Sequence, residues 1–125
     1  MLIDTDVLIW YLRGNDKARR TIEHAGRFSI SVVTYMELVQ GMANKRELAM
    51  FRREMRAWEA DVIYIDHEIS SKAMLYVEEH FLSHSLQLAD ALIAATAIQC
   101  GLPLLTANGR HYRIIKELEL KAYRV

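Results

Sequence analysis

The chain has 125 residues and 52% apolar content, which suits one compact domain with a single continuous core. Sixteen Lys and Arg balance sixteen Asp and Glu, so no whole-molecule field draws the protein to a polyanion or an anionic membrane, and such a partner has to meet a local patch. The one cysteine, Cys100, excludes an internal disulfide and a cysteine-based zinc site, which removes the stapled secreted scaffolds and makes a reducing cytoplasm the expected compartment.

Short apolar runs alternate with helical periodicity along the chain. Leu2-Ile3 predicts a first strand, followed by a short helix from Val7 to Leu12, with Thr5 or Asp6 as its cap and Gly14 as its stop. A second helix is expected from Asp16 to His24. Phe28-Ser29-Ile30 predicts the next strand, Ser31 caps a helix from Val32 to Gly41, and Lys45 to Trp58 forms an amphipathic helix with Leu48, Phe51, Met55 and Trp58 on one face. Val62 to Ile65 gives a third strand, and helices from His67 to Leu82 and from Leu86 to Cys100 follow, the second closed by Gly101 with Pro103 beyond. Leu104-Leu105 predicts a fourth strand, Tyr112 to Leu118 a last helix, and Ala122 to Val125 a weaker fifth strand. The longest apolar run, Ala91 to Cys100, falls short of the ~18 residues that would cross a bilayer. The N-terminus also lacks the basic segment of a secretory leader.

Short, nearly all-apolar strands separated by helices predict a sheet buried on both faces. The expected fold class is α/β, a three-layer α/β/α sandwich with a mainly parallel five-stranded sheet, as a single domain over residues 1–125. In such folds function gathers at the carboxyl ends of the strands. Asp4, Ser31, Asp66 and Thr106 are the rim positions.

Most acids stand among other charges, as Glu54 does beside Arg52, Arg53 and Arg56. Asp4, Glu37 and Asp90 do not: Asp4 ends an apolar strand, and Glu37 and Asp90 stand between apolar neighbours. A carboxylate in apolar surroundings costs several kcal/mol unless something compensates it. Three compensations are open. Helix capping suits Asp6, which follows Asp4 closely, and also Asp90 if a helix begins there. A buried ion pair with a distant Arg or Lys suits any one acid taken singly. Convergence on a hard cation explains Asp4, Glu37 and Asp90 by one cause, because Mg²⁺ prefers oxygen ligands, keeps several waters and needs few carboxylates.

Leu2-Ile3-Asp4-Thr5-Asp6-Val7-Leu8-Ile9, then Ser31-Val32-Val33-Thr34-Tyr35-Met36-Glu37-Leu38 with Gly41, resemble the opening motifs of PIN-domain nucleases. Leu88-Ala89-Asp90-Ala91-Leu92-Ile93 resembles the third acidic motif of that family, and Leu104-Leu105-Thr106-Ala107-Asn108 with His111-Tyr112 resembles the fourth. The small size is most similar to VapC-type toxins of toxin–antitoxin pairs. The resemblance implies that Asp4, Glu37 and Asp90 are catalytic, metal-binding acids, that Asp6 stands with them, and that the Thr106 hydroxyl supports the site. Where the family often has a fourth acid, this chain offers Asn108 and His111. Asn108 then ligates through its amide oxygen or orients a water, and His111 meets the RNA phosphate or packs.

By the same resemblance the expected activity is Mg²⁺- or Mn²⁺-dependent endoribonuclease cleavage leaving a 5′-phosphate. The expected partners are a VapB-type antitoxin and a second copy of the chain. Arg13 and Arg110 lie nearest the rim as RNA contacts. Trp10 and Tyr11 are adjacent on a short helix, so at least one is expected to border a partner groove. Two rivals stand beside this reading. One is a receiver-like regulatory module phosphorylated at Asp66; the other is a PIN scaffold without catalysis.

Overall fold

The computed structural model describes residues 1–124. Element order is β1 (Leu2–Ile3), α1 (Thr5–Leu12), α2 (Asp16–Ala25), β2 (Ser29–Ser31), α3 (Val32–Gln40), α4 (Lys45–Ala57), β3 (Asp61–Ile63), α5 (His67–His80), α6 (Leu88–Gln99), β4 (Leu104–Thr106), α7 (Gly109–Tyr112) and β5 (Leu120–Ala122). Successive strands are separated by helical crossovers, and every observed pairing is parallel, in the order β3-β2-β1-β4-β5. The register sets Leu2 opposite both Ser29 and Leu104, and Thr106 opposite Ala122.

Neighbouring residues of a strand face opposite sides of a sheet, and the two cores divide accordingly. Leu2 and Leu104 pack with Ile69, Ala73, Tyr76, Ala91, Ala94, Ala95 and Tyr112 on the side of α5 and α6. Ile3 and Leu105 pack with Val7, Leu8, Ile22, Phe51 and Met55 on the side of α1, α2 and α4. The fold is thus the expected three-layer α/β/α sandwich. The alanines of α6 bring its backbone close to its neighbours, which is why a helix without a strong polar face fits there.

Several boundaries differ from expectation. Helix α1 starts two residues early because the Asp4 side chain, not Thr5 or Asp6, caps it by accepting from Thr5 N at 2.8 Å. The expected helix over Tyr112 to Leu118 is displaced to Gly109–Tyr112. Ile115 and Leu118 are buried at helical spacing, yet their amides make three-residue turn bonds to Tyr112 and Ile115 carbonyls at 3.0 and 3.3 Å. Strand β3 ends at Ile63, leaving Tyr64 72% exposed. The fifth strand lies earlier than Ala122 to Val125, at Leu120–Ala122; Val125 lies outside the described residues.

Candidate functional site

Strand order reverses at β1, whose successor β2 lies on one side and whose other neighbour is β4. That is the crevice where open α/β sheets receive ligands. Asp4 terminates β1 there, its backbone held by a bond from Asp4 N to the Leu105 carbonyl at 2.9 Å. Its side chain is buried, 6% exposed. Oδ1 caps α1, while Oδ2 accepts from Thr106 Oγ1 at 2.8 Å and from Tyr112 Oη at 3.0 Å. Burial, and then the nearby Asp6 charge, push the Asp4 carboxyl from its ordinary 3.8 to about 7.

Asp6 is not the helix cap that its position predicts. Its Oδ2 reaches back to the end of β4, accepting from Ala107 N at 3.1 Å, Asn108 Nδ2 at 2.8 Å and Thr106 Oγ1 at 3.3 Å. Oδ1 is buried and has no hydrogen-bond partner among the described residues. Burial raises the Asp6 pKa as well, against the pull of its donors. Asn108 thus engages Asp6 through its amide nitrogen, where the sequence left open ligation through its oxygen or orientation of a water, and its backbone N–H donates to Thr106 Oγ1 at 3.0 Å.

Asp90 takes the capping role that its position allows and also faces Tyr112. As the third residue of α6 it closes a capping box, Oδ2 accepting from Gln87 N at 3.0 Å. Its Oδ1 lies 3.3 Å from Tyr112 Oη, so one phenol spans Asp4 and Asp90. His111 Nδ1 stands 3.9 Å from Asp90 Oδ2. Glu37, in the middle of α3 and exposed, accepts at Oε1 from Thr5 Oγ1 at 2.8 Å, and Thr5 Oγ1 in turn lies 2.9 Å from buried Thr34. Arg13 closes α1 and stacks on Trp10 at 5.9 Å; Arg110 sits exposed on α7 beside His111.

Among the described residues no Lys or Arg forms an ion pair with Asp4, Asp6, Glu37 or Asp90. The compensating-guanidinium alternative therefore fails. The predicted three-acid convergence is looser than expected: Asp4 and Asp90 meet on Tyr112, and Glu37 joins through Thr5. Among the described residues no group of three or more His, Cys, Asp or Glu side chains is placed to hold a metal ion, so Asp4, Glu37 and Asp90 do not gather into one three-carboxylate site. The donor set still fits a hard divalent cation. It consists of carboxylate and hydroxyl oxygens, includes the unpartnered Asp6 Oδ1, and provides the one or two carboxylates that Mg²⁺ binds while keeping waters.

Tyr112, Thr5 and Thr34 escaped the sequence reading as site residues. Tyr112 stands within the fourth motif, but only the fold shows where its hydroxyl goes. The receiver alternative is overturned by topology, since receivers follow the order 2-1-3-4-5 and this sheet runs 3-2-1-4-5. Asp66 caps α5 instead, accepting from Ile69 N at 2.8 Å.

The PIN domain family model matches residues 1–117, and the chain belongs to the PIN-domain family. Its similarity extends along nearly its whole length to proteins named as VapC ribonucleases. Ribonuclease VapC1 of Methanocaldococcus jannaschii is 32% identical over 124 residues, covering 98% of this chain and 86% of that protein. Ribonuclease VapC10 of Mycobacterium tuberculosis is 35% identical over 125 residues, covering 95% and 90%. Among solved structures, a chain of a toxin-antitoxin complex from Klebsiella pneumoniae superposes with a TM-score of 0.78 at 27% identity, covering 99% of this chain and 98% of that one. No helix among the described residues is long and apolar enough to cross a membrane.

Proposed function

We propose that this chain is a cytoplasmic Mg²⁺- or Mn²⁺-dependent endoribonuclease, the toxin of a toxin–antitoxin pair, restrained by a VapB-type antitoxin in a dimer-based complex. The observation that carries this reading is Asp4: a buried carboxylate at the sheet's switch point, linked to Asp90 and crowded by Asp6, with no Lys or Arg in an ion pair with it among the described residues. Such an arrangement raises the free energy of the metal-free protein, and a divalent cation relieves it. The relatives' names and the toxin–antitoxin complex of similar fold give the same direction.

Asp4 and Asp90 would hold the cation, with Glu37 and Asp6 flanking them. When bound, the metal supplies a water acidified toward neutral pH and neutralises charge on the scissile phosphate, the product ending in a 5′-phosphate. Thr106 fixes the Asp4 carboxylate, and Thr5 orients Glu37. Arg13, Arg110 and His111 provide cationic or hydrogen-bonding contacts for flanking phosphates, which is how a chain of zero net charge meets a polyanion. Beside this rim, a cleft of 800 Å³ runs between α1, α3 and α4, lined in part by Ile9, Leu12, Met42, Met50 and Phe51, with Tyr11 on its wall. Its apolar lining suits one face of an antitoxin segment.

Purified protein incubated with single-stranded and folded RNAs tests the proposal. Cleavage with Mg²⁺ or Mn²⁺, its loss in EDTA, and a drop of roughly 100-fold in Asp4→Asn and Asp90→Asn are expected. Full activity of either variant, or no cleavage of any RNA by metal-loaded protein, contradicts it; the latter result identifies an inactive scaffold.

A further inference from the structure

Tyr112 is 1% exposed, and its ring belongs to the core on the α5 and α6 side of the sheet. Packing of the ring in this core would be satisfied equally by phenylalanine. The hydroxyl is a different matter. A buried phenol oxygen without a partner carries a desolvation cost, and the partners of this one are two carboxylates, Asp4 Oδ2 at 3.0 Å and Asp90 Oδ1 at 3.3 Å. These acids come from distant stretches of the chain, one at the end of β1 and the other in the first turn of α6.

We propose that Tyr112 is a positioning residue whose hydroxyl spans Asp4 and Asp90 and keeps the two carboxylates preset for a divalent cation. A phenol has one proton, and two carboxylates repel each other. By lying between them, the hydroxyl allows both to face a common space before any ion arrives. Thr106 fixes the same Asp4 oxygen at 2.8 Å from the β4 side, and Gln87 N fixes the other Asp90 oxygen at 3.0 Å. Each carboxylate is thus held by its own anchor, and Tyr112 is the contact that ties one anchored group to the other. Removing it leaves both acids in place on their elements but frees their mutual geometry, so the loss falls on metal affinity and not on folding. Outer contacts of this kind change metal affinity by about 10- to 100-fold in other sites.

The inference rests on the metal-dependent reading above, and its test separates the two. Mn²⁺ is titrated directly into wild-type protein, Tyr112→Phe and Tyr76→Phe, by calorimetry or by the free-ion electron paramagnetic resonance signal. Tyr76→Phe is the control, because it removes an equivalent hydroxyl that donates to Glu117 at 2.6 Å and not to Asp4 or Asp90. Tyr112→Phe is expected to bind Mn²⁺ roughly 10- to 100-fold more weakly, with an unchanged circular dichroism spectrum. Its RNA cleavage recovers most of the wild-type kcat at saturating metal, with KM for RNA unchanged. Tyr76→Phe binds as wild type does. Equal Mn²⁺ affinity in wild type and Tyr112→Phe overturns the role given to Tyr112, whereas no Mn²⁺ binding by wild type overturns the metal-dependent reading itself. A poorly folded Tyr112→Phe also overturns the proposal, because it places the hydroxyl's contribution on folding and not on metal affinity.

Discussion

Asp4 shows how one residue ties sequence, stability and chemistry together. Its carboxyl sits at about 7 in the folded chain against an ordinary 3.8, so between those values the folded protein keeps a proton that the unfolded chain has released. Stability of the metal-free protein from this group is therefore complete below about pH 4 and is lost as pH rises toward 7, by at most about 4 kcal/mol. Urea unfolding in EDTA from pH 4 to 8 should show wild type losing stability relative to Asp4→Asn across that window; parallel curves contradict the assignment. Metal affinity should move the other way, rising with pH as the proton is displaced. The sequence made Asp4, Glu37 and Asp90 legible because a charge among apolar neighbours is conspicuous. For Asp6 position alone favoured a cap, because it lies near the start of α1, whereas its side chain turns to the end of β4, beside the acids with which the motif resemblance had set it. The sequence passed over Tyr112, Thr5 and Thr34, because a buried hydroxyl carries no mark in a sequence until its partners are known.

At the level of elements, caps fix where helices begin. Ser31 caps α3 as the sequence predicts, and Asn15, Asn44 and Asp66, for which no capping role was foreseen, likewise accept a backbone N–H from the first turn of the following helix. The last predicted helix went wrong. Ile114, Ile115 and Leu118 carry helical spacing, but the chain there makes isolated turns that press Ile115 and Leu118 into the core. Asp66 offers a clean test of an acid that is structural. Asp66→Ala removes the bond to Ile69 N and should cost about 1 kcal/mol of stability, visible as a lowered denaturation midpoint. RNA cleavage below that midpoint should remain at the wild-type level. A loss of cleavage in folded Asp66→Ala would show that Asp66 takes part in the reaction.

For the molecule as a whole, the parallel sheet was predictable from apolar strands alternating with helices, but the strand order was not, because no local pattern says which strands become neighbours. That order is what sets β1 between β2 and β4 and brings the first and fourth motifs, about a hundred residues apart, into hydrogen-bond contact. Zero net charge describes only the whole chain: at this crevice Asp4, Asp6 and Asp90 stand close together, and among the described residues no Lys or Arg pairs with them. A divalent cation at this crevice is the proposed relief of that crowding. Thermal unfolding of wild type and Asp4→Asn at pH 8, each with and without Mn²⁺, tests this most directly, because binding to the folded state alone raises stability by mass action. Wild type should melt several degrees higher with Mn²⁺ and Asp4→Asn should not; an equal rise in both proteins, or none in either, contradicts the account.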